Sequence, residues 1–412
     1  MSGDPPVTWI APPAVLRQGA PAAVLAALPG ARAVGGAVRD ALAGCALHDV
    51  DVAAPLPPEE IARRLTAAGL KVFETGLAHG TVTAVLAHEP VEVTSLRRDL
   101  VTDGRHAEVA WTTDWREDAA RRDFTINAMS LSAAGALWDY FGGRADLAAG
   151  QVRFVGEPAI RLQEDYLRAL RFFRFQARYG RGAPDPAAVA AIRAAVPGLA
   201  RLSIERVWME LKRLLAAPDP TAALALMAET GVLGAILPEA IPPQLEDLRC
   251  LVHAEAPREP VLWLTVLLPP ATMDQAGGIA RRLKMSVDER EDLVHLHKTL
   301  GSNPFIPDRT EAALRQWYAT RDSQRMALLE TWLAEARDKM DRSGLRRWIG
   351  QTSFPRLPVM GRDVVAIGVE PGPHVGRLLK SLNTWWKAGG GVASRDACLE
   401  KLKELAAASP SG

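Results

Sequence analysis

The chain has 412 residues, of which 48% are hydrophobic and 24% charged, and its formal net charge at pH 7 is +1. This length exceeds one ordinary hydrophobic core and predicts two to four domains, and the composition excludes a disordered or fibrous protein. The near-neutral overall charge gives no sign of nucleic-acid binding, which usually leaves a basic footprint.

Membrane and secretory segments are not predicted. The longest strongly apolar run, 260–271, is too short to span a bilayer and is broken by two prolines. The chain begins MSGDPPV, without the basic and apolar stretches of a signal peptide. Cys45, Cys250 and Cys398 are odd in number and far apart, which argues against a disulfide framework. A reducing compartment, the cytoplasm, is therefore predicted.

The first third of the chain alternates between strand-like and helix-like stretches. Five short apolar or β-branched stretches predict strands, at 31–34, 50–53, 70–73, 81–86 and 91–95. Helical stretches fall between several of them, at 38–43 and 58–68. This alternation predicts an α/β or mixed α+β domain.

From about residue 159 onward the strand pattern disappears and apolar residues recur at helical spacing. Pro- and Gly-rich breaks, including one at 302–308, divide this all-α part into subdomains. Between 161 and 215 there are eleven Lys or Arg and five Asp or Glu, a local charge of about +6. Such a segment is either a solvated helix face or a surface that attracts phosphates.

The first chemical motif is VGGAVRDALAG at 34–44. A predicted strand runs through two glycines into a predicted helix, so backbone N–H groups can approach a phosphate closely. Arg39 projects from the first helical turn toward the same place. Gly35, Gly36 and Arg39 are therefore candidate phosphate-binding residues.

The motif HDVDVA follows at 48–53. Asp49 and Asp51 are separated by one residue, and side chains alternate faces along a strand, so both carboxylates are expected to point the same way. Two like charges held together call for a cation, and oxygen ligands suit Mg²⁺. The alternatives are a polar strand end or a metal-dependent phosphohydrolase built on His48-Asp49, whose further His and Asp ligands are not evident.

Glu92 lies in PVEVTSLR at 90–97, on a predicted strand. Its flanking valines should face the core and Glu92 the opposite side. It is a candidate third carboxylate that completes a metal site or activates an attacking hydroxyl. An ordinary outward-facing strand residue is the alternative.

Two arginine-rich blocks follow, at 116–131 and 164–180. In the first, the guanidinium of Arg122 can fork onto phosphate oxygens. In the second, predicted to be helical, Asp165, Arg168 and Arg171 share one face while apolar residues turn inward. The alternative to a ligand site is an ion pair between Asp165 and Arg168 along the helix.

Taken together, these motifs resemble bacterial class II tRNA nucleotidyltransferases, the family that includes CCA-adding enzymes and bacterial poly(A) polymerases. GGAVRD, DVD, EVTSLR, RRDFTINAM and EDYLR all occur in family order, and the match runs from 31 to about 215. The resemblance implies an α+β fold whose catalytic head, 1–150, is a polymerase β-like nucleotidyltransferase domain with a mixed sheet. It also implies a helical neck for base recognition at 151–216 and a helical body and tail for tRNA binding at 217–412.

The resemblance implies an enzyme that adds and repairs the 3′-terminal CCA of tRNA from CTP and ATP without a template, releasing pyrophosphate. Its implied catalytic residues are Asp49, Asp51 and Glu92, with Asp49 and Asp51 holding two Mg²⁺ ions. Its implied nucleotide-binding residues are Gly35, Gly36, Arg39, Arg122, Asp165, Arg168 and Arg171. Asp165 and Arg168 are implied to read the base edge in place of a template, which a protein surface can do through hydrogen bonds.

Rival functions share much of this pattern. A poly(A) polymerase, or a partial enzyme that adds only CC or only A, has almost all the motifs. The stretch at 77–97, and a predicted loop at 98–114 long enough to reposition between nucleotides, favour full CCA addition. An inactive RNA-binding protein on this fold would lack a catalytic carboxylate, and all three are present. The H-x-H of His295 and His297 is interpreted as a solvated helix face.

Overall fold

The computed structural model describes residues 4–47, 49–76, 80–102, 107–301 and 310–408. The chain divides into two compact units, Met1–Pro242 and Pro243–Gly412. All strands among the described residues lie in the first unit, and from Pro158 onward every described element is helical. The predicted α+β fold with an all-α continuation is confirmed.

The strands are β1 (Thr8–Trp9), β2 (Arg32–Val34), β3 (Val52–Ala54), β4 (Lys71–Gly76), β5 (Thr81–Leu86), β6 (Glu89–Ser95), β7 (Arg97–Thr102), β8 (Ala107–Trp111), β9 (Met129–Leu131) and β10 (Ala136–Asp139). Eight of them form one sheet in the order β1-β10-β9-β2-β3-β6-β5-β4. Only the β3–β6 pair in this sheet is parallel. Strands β7 and β8 form a separate antiparallel ribbon.

The helices of the first unit are α1 (Gly19–Ala27), α2 (Gly36–Leu42), α3 (Pro58–Ala67), α4 (Trp115–Ala120), α5 (Gly143–Ala149), α6 (Pro158–Glu164), α7 (Leu167–Tyr179), α8 (Pro186–Ala195), α9 (Ile204–Leu215), α10 (Thr221–Glu229) and α11 (Val232–Ile236). Helix α3 shows why these segments fold locally. Pro58 occupies its first turn, where a missing N–H costs nothing, two glutamates follow, and Ile61 and Leu65 are buried against the sheet.

The helices of the second unit are α12 (Leu245–His253), α13 (Pro260–Leu267), α14 (Met273–Arg282), α15 (Val287–Gly301), α16 (Glu311–Ala319), α17 (Gln324–Asp338), α18 (Ser343–Gln351), α19 (Gly361–Ala366), α20 (Pro373–Ala388) and α21 (Arg395–Ala408). No helix in the described part of the chain has the length and apolar character needed to cross a membrane. The predicted break at 302–308 lies outside the described residues.

Two local predictions are wrong. The predicted loop at 98–114 is largely the β7–β8 ribbon, and residues 103–106 lie outside the described residues. The expected solvated face at His295 and His297 is also wrong, because His297 is 1% exposed and burial, with the charge of Arg337, lowers its pKa to about 4. The ring of His295 contacts the buried Glu330 at 2.7 Å.

An aromatic cluster fixes α7 against the segment that precedes β9. The ring of Phe124 lies 4.8 Å from that of Phe154 and 5.3 Å from that of Phe175, measured between centroids. The ring of Phe172 stacks parallel to Phe154. Phe124 and Phe172 are fully buried. Aromatic burial of this size holds α7 rigidly, so the polar side chains on its opposite face have fixed positions.

Candidate active site

The turn between β2 and α2 brings an arginine to the floor of a cavity. Gly35 has φ +65°, which strains any residue with a Cβ, and a Cβ there would lie 3.0 Å from Nη1 of Arg122. Arg39, on α2, is buried and donates a 2.6 Å hydrogen bond to the side-chain oxygen of Asn127. It also forms a two-point pair with Asp40 at 3.0 and 3.1 Å. Its guanidinium is therefore held in place without a ligand.

The acidic residues lie at the start of β3 and on the neighbouring β6. The carbonyl oxygen of Asp51 accepts a 3.0 Å bond from the N–H of Val34, so the chain is already aligned with β2 there. Asp49 and Asp51 are exposed while Val50 between them is buried, as expected for carboxylates that share a face. Val93 pairs with Val52 and is buried, and Glu92 beside it is exposed. His48 lies outside the described residues.

These carboxylates carry uncompensated negative charge. Desolvation by the surrounding protein, followed by the charge of Glu92, raises the pKa of the Asp51 carboxyl. Asp49 raises it further, and only Arg122 opposes the shift. Like charges placed this way favour a bound cation. The site therefore fits a divalent metal ion, which would offset the repulsion.

The protein offers such an ion only part of a coordination shell. Among the described residues, no group of three or more His, Cys, Asp or Glu side chains is placed to hold a metal ion. Asp49 and Asp51 would therefore bind it together with water and phosphate oxygens. Partial protein ligation of this kind is the usual mode for Mg²⁺ at phosphate sites.

We call the carboxylates of Asp49, Asp51 and Glu92 the acidic edge. A cavity of about 580 Å³ opens beside them. We call it the large cavity. It is lined by Gly35, Gly36, Arg39, Asp51, Arg97, Arg121, Arg122, Asp123, Asn127, Asp165, Leu167, Arg168, Arg171, Arg174, Phe175 and Arg206. Eight of the ten predicted site residues are in this set, and Asp49 and Glu92 are not. The large cavity thus joins the glycine turn, one carboxylate of the acidic edge and seven arginines besides Arg39.

Four of these arginines form what we call the arginine wall, Arg168, Arg171, Arg174 and Arg206. Each is paired with a carboxylate: Arg168 with Glu164, Arg171 with Asp123 at 2.5 Å, Arg174 with Glu210 at 2.6 Å, and Arg206 with Asp165 at 2.7 Å. Paired guanidinia keep free N–H donors while their side chains are fixed. The wall is therefore rigid before any anion arrives.

Asp123 shows how strong this pairing is. Burial alone would raise the pKa of its carboxyl, but the charge of Arg171 and hydrogen bonds from Asn127 and the N–H of Phe124 lower it below its usual value. Arg171 responds in the opposite sense: its partners Asp123 and Glu210 outweigh burial and raise its pKa. Both groups therefore stay charged at neutral pH.

The structure corrects the prediction of one helix through 164–180. Helix α6 ends at Glu164, Asp165 is extended with φ −155° and ψ 108°, and α7 starts at Leu167. The ion pair between Asp165 and Arg168, which was the alternative to a ligand site, is not formed. One oxygen of Asp165 instead accepts from the N–H of Leu167 at 3.0 Å and the other from Arg206. Asp165 and Arg168 still line the same cavity.

Several lining residues were not predicted as site residues. Asn127 and Arg174 lie inside the blocks at 116–131 and 164–180 but were not singled out there. Arg206 and Arg97 come from a different helix and from the β-ribbon. The i, i+3 spacing of Arg171 and Arg174 on one helical face could have indicated Arg174. Nothing local indicates Arg206, whose partner is 41 residues away in the chain.

Two known protein families match segments of this chain that contribute to the site. Residues 31–153 match the Poly A polymerase head domain family, and residues 183–242 match the family described as the probable RNA and SrmB-binding site of polymerase A. The first match contains the glycine turn, the acidic edge and Arg122. The second contains Arg206.

Similar full-length proteins and structures carry more specific names. The chain is 37% identical to the mitochondrial CCA tRNA nucleotidyltransferase 1 of Danio rerio, over 90% of this chain and 87% of that protein. It is 30% identical to the CCA-adding enzyme of Levilactobacillus brevis, over 85% of this chain and 87% of that protein. It is also similar to the crystal structure of the Bacillus stearothermophilus CCA-adding enzyme in complex with CTP, with a TM-score of 0.69, 28% identity, and coverage of 93% and 96% of the two chains.

Proposed function

The chain belongs to the family of CCA tRNA nucleotidyltransferases, or CCA-adding enzymes, and we propose that the large cavity is where it selects and transfers each nucleotide. The enzyme adds CCA to the 3′ end of tRNA from CTP and ATP. The observation that carries the proposal is the shared cavity, in which Asp51 of the acidic edge and the fixed arginines of the arginine wall surround a half-buried carboxylate–arginine pair, Asp165 with Arg206.

The reaction joins the 3′-hydroxyl oxygen of the RNA to the α-phosphorus of the nucleotide and breaks the bond to pyrophosphate. The hydroxyl proton must leave, and Glu92 is its proposed acceptor. Arg39 and Arg122, beside the glycine turn, are proposed to bind the triphosphate and to stabilise the charge on the departing pyrophosphate. Asp49 and Asp51 would hold a divalent ion, proposed to be Mg²⁺, which would supply Lewis-acid stabilisation of the reacting oxygens.

Base choice is assigned to Asp165 and Arg168. A carboxylate accepts a hydrogen bond from the exocyclic amino group of cytosine or adenine, and a guanidinium donates to ring nitrogens or carbonyl oxygens. Uracil and the six-position of guanine carry an oxygen where the amino group is needed. The 2.7 Å bond from Arg206 fixes the orientation of the Asp165 carboxylate, so the base meets a preorganised edge.

The domain roles and the compartment belong to the proposal as well. We assign base recognition to 151–216 and tRNA binding to 217–412, alongside the catalytic head at 1–150. We place the enzyme in the cytoplasm on the basis of its three free cysteines. The animal relatives that it matches carry mitochondrial names, so fractionation with compartment markers is the direct test.

The decisive assay offers the protein a tRNA that ends at the discriminator base, with CTP, ATP, or both, and Mg²⁺. We expect two nucleotides from CTP alone and three from both, with growth then stopping. Long products from ATP alone would identify a poly(A) polymerase, and arrest after CC in the presence of both nucleotides would identify a partial enzyme.

A further inference from the structure

A second cavity, of about 450 Å³, lies in the first unit and is not part of the nucleotide site described above. We call it the Cys45 cavity. It is lined by Ile10, Leu42, Ala43, Cys45, Arg144, Leu147, Ala148, Arg178, Tyr179, Gly180 and Arg181. Its lining combines aliphatic side chains, one tyrosine ring, a free thiol and three arginines, and includes no Asp or Glu among the described residues.

The three arginines differ from those of the arginine wall. Arg144, Arg178 and Arg181 are exposed, and within the described ranges none of them forms an ion pair with a carboxylate. By contrast, most other arginines of the 161–215 segment are paired, including Arg193 with Glu229 at 3.2 Å. Two arginines of this segment without a carboxylate partner, Arg178 and Arg181, therefore line this cavity. Three unneutralised guanidinia around one opening attract an anion.

The backbone fixes the positions of these arginines. The N–H of Arg181 donates a 2.8 Å bond to the carbonyl of Gly150, and a Cβ at Gly150 would lie 2.5 Å from the Cβ of Arg181. The N–H of Arg144 donates a 2.9 Å bond to the carboxylate of Asp139. The guanidinium of Arg178 lies 5.6 Å from the ring of Tyr179. Hydrogen bonds therefore hold the backbone of Arg144 and Arg181 in place beside this cavity.

Tyr179 links the two cavities. Its ring lines the Cys45 cavity, and the guanidinium of Arg39, on the floor of the large cavity, lies 4.6 Å from its centroid. Its hydroxyl donates to Asp40, the partner of Arg39. A ligand in the Cys45 cavity is consequently separated from the nucleotide site by a single side-chain layer. We therefore expect an RNA whose 3′ end enters the large cavity to bring a backbone phosphate near this place.

We propose that the Cys45 cavity binds a phosphate-bearing nucleotide unit, with Arg144, Arg178 and Arg181 on the phosphate and the aliphatic floor against the sugar or base. Two sources offer this chemistry, the tRNA strand and a free nucleoside triphosphate. The proposal rests on the proposed function only for the choice of tRNA as the RNA. Binding is therefore measured without turnover, so that failure of CCA addition and failure of this site can be told apart.

The first experiment measures affinity for a tRNA lacking CCA, without nucleotides, across a series of salt concentrations. The double variant R178Q/R181Q should bind about ten-fold more weakly at low salt. Its slope of log affinity against log salt should be shallower by roughly 0.7 to 0.9 for each phosphate that the variant no longer binds. The matched control is R63Q, which removes one charge from an exposed arginine that is paired with Glu60 and lies outside 183–242, and its slope should stay unchanged. A slope as steep in the double variant as in the wild type overturns the RNA arm.

The second experiment uses the cavity's own thiol as a reporter. Alkylation of Cys45 should slow at least several-fold when tRNA, or ATP alone, is present, and the R178Q/R181Q variant, in which both ligands should protect Cys45 much less, serves as the control. Protection by tRNA but not by ATP identifies the strand as the source, and protection by ATP alone identifies the free nucleotide. The proposal is overturned if Cys45 is alkylated at the same rate without ligand, with tRNA and with ATP.

Discussion

The acidic edge lies beside the cavity that the arginine wall lines, but the two regions are built in opposite ways. Every guanidinium of the wall has a carboxylate partner within 2.7 Å. The carboxylates of the edge have only Arg122 to oppose their charge at Asp51, and desolvation together with the charges of Glu92 and Asp49 raises the pKa of Asp51. The arginine wall therefore has all its charge partners in the folded protein, whereas the acidic edge needs a cation to offset its negative charge.

The largest expected effect comes from removing a carboxylate of the acidic edge. Asp51→Ala or Asp49→Ala should lower nucleotide addition with every NTP by about a thousand-fold, because stabilisation of several kcal/mol from a bound metal is lost. Single-turnover assays with Mg²⁺ measure this. Near-normal turnover in either variant would refute the metal assignment.

The same two variants provide their own stability control. Both side chains are exposed and repel one another, so their loss should leave the thermal unfolding midpoint unchanged or slightly higher. A marked fall in the midpoint would mean that the edge is held together by contacts rather than strained by charge.

The next largest effect concerns the stability that Asp123 contributes, since it is buried and paired with Arg171 of the arginine wall. Asp123→Asn should lower the free energy of unfolding at pH 7 by about 3 kcal/mol, because Arg171 loses its closest charge partner. The pKa of Asp123 is lowered on folding, so its contribution is present above the unfolded pKa and disappears as pH falls through the folded value.

Denaturant titrations at several pH values below about 4 measure this contribution, since that is where an unfolded Asp becomes protonated. Wild-type stability should fall with pH in this range, and the Asp123→Asn protein should show a shallower fall. Parallel curves for the two proteins would show that the pair does not hold the wall.

A smaller effect in energy, but the most specific, concerns base choice. Asp165→Ala should raise misincorporation of UTP and GTP by roughly ten-fold to a hundred-fold, with less effect on the rate of CTP addition. Arg206→Ala, which only releases the Asp165 carboxylate, should give a smaller loss of selectivity. An unchanged CTP-over-UTP preference in Asp165→Ala would mean that the residue serves only as a partner for Arg206.

The sequence predicted those parts of the site that depend on local pattern. The glycine turn, the alternation around Val50, and the outward placement of Glu92 between buried valines all follow from short-range rules and are found as expected. The conformation of Asp165 could not be predicted this way, because Glu164 and Arg168 have helical i, i+4 spacing and nothing between them is a helix breaker. Tertiary contacts hold Asp165 in its extended conformation, above all the hydrogen bond from Arg206.

The β-ribbon was missed for a different reason. Its pattern of apolar and polar residues is irregular, and the pairing of β7 with β8 shifts register between Asp99 and Val101. The Asp103-Gly104 dipeptide is a hairpin signal that could have identified it. Arg97, at the start of β7, reaches the large cavity from this ribbon, so the missed element is also a missed part of the site.

The most direct test of the comparison is equilibrium binding of CTP and UTP to the wild-type protein in EDTA, with no RNA present, followed by the same titration with Mg²⁺. If the arginine wall and Asp165 are complete as folded, CTP should bind in EDTA and be preferred to UTP by about ten-fold or more. Nucleotide addition should then begin only when Mg²⁺ and tRNA are supplied. Binding that shows no preference for CTP until the metal is added would contradict the account, because recognition would then depend on the same cation as catalysis.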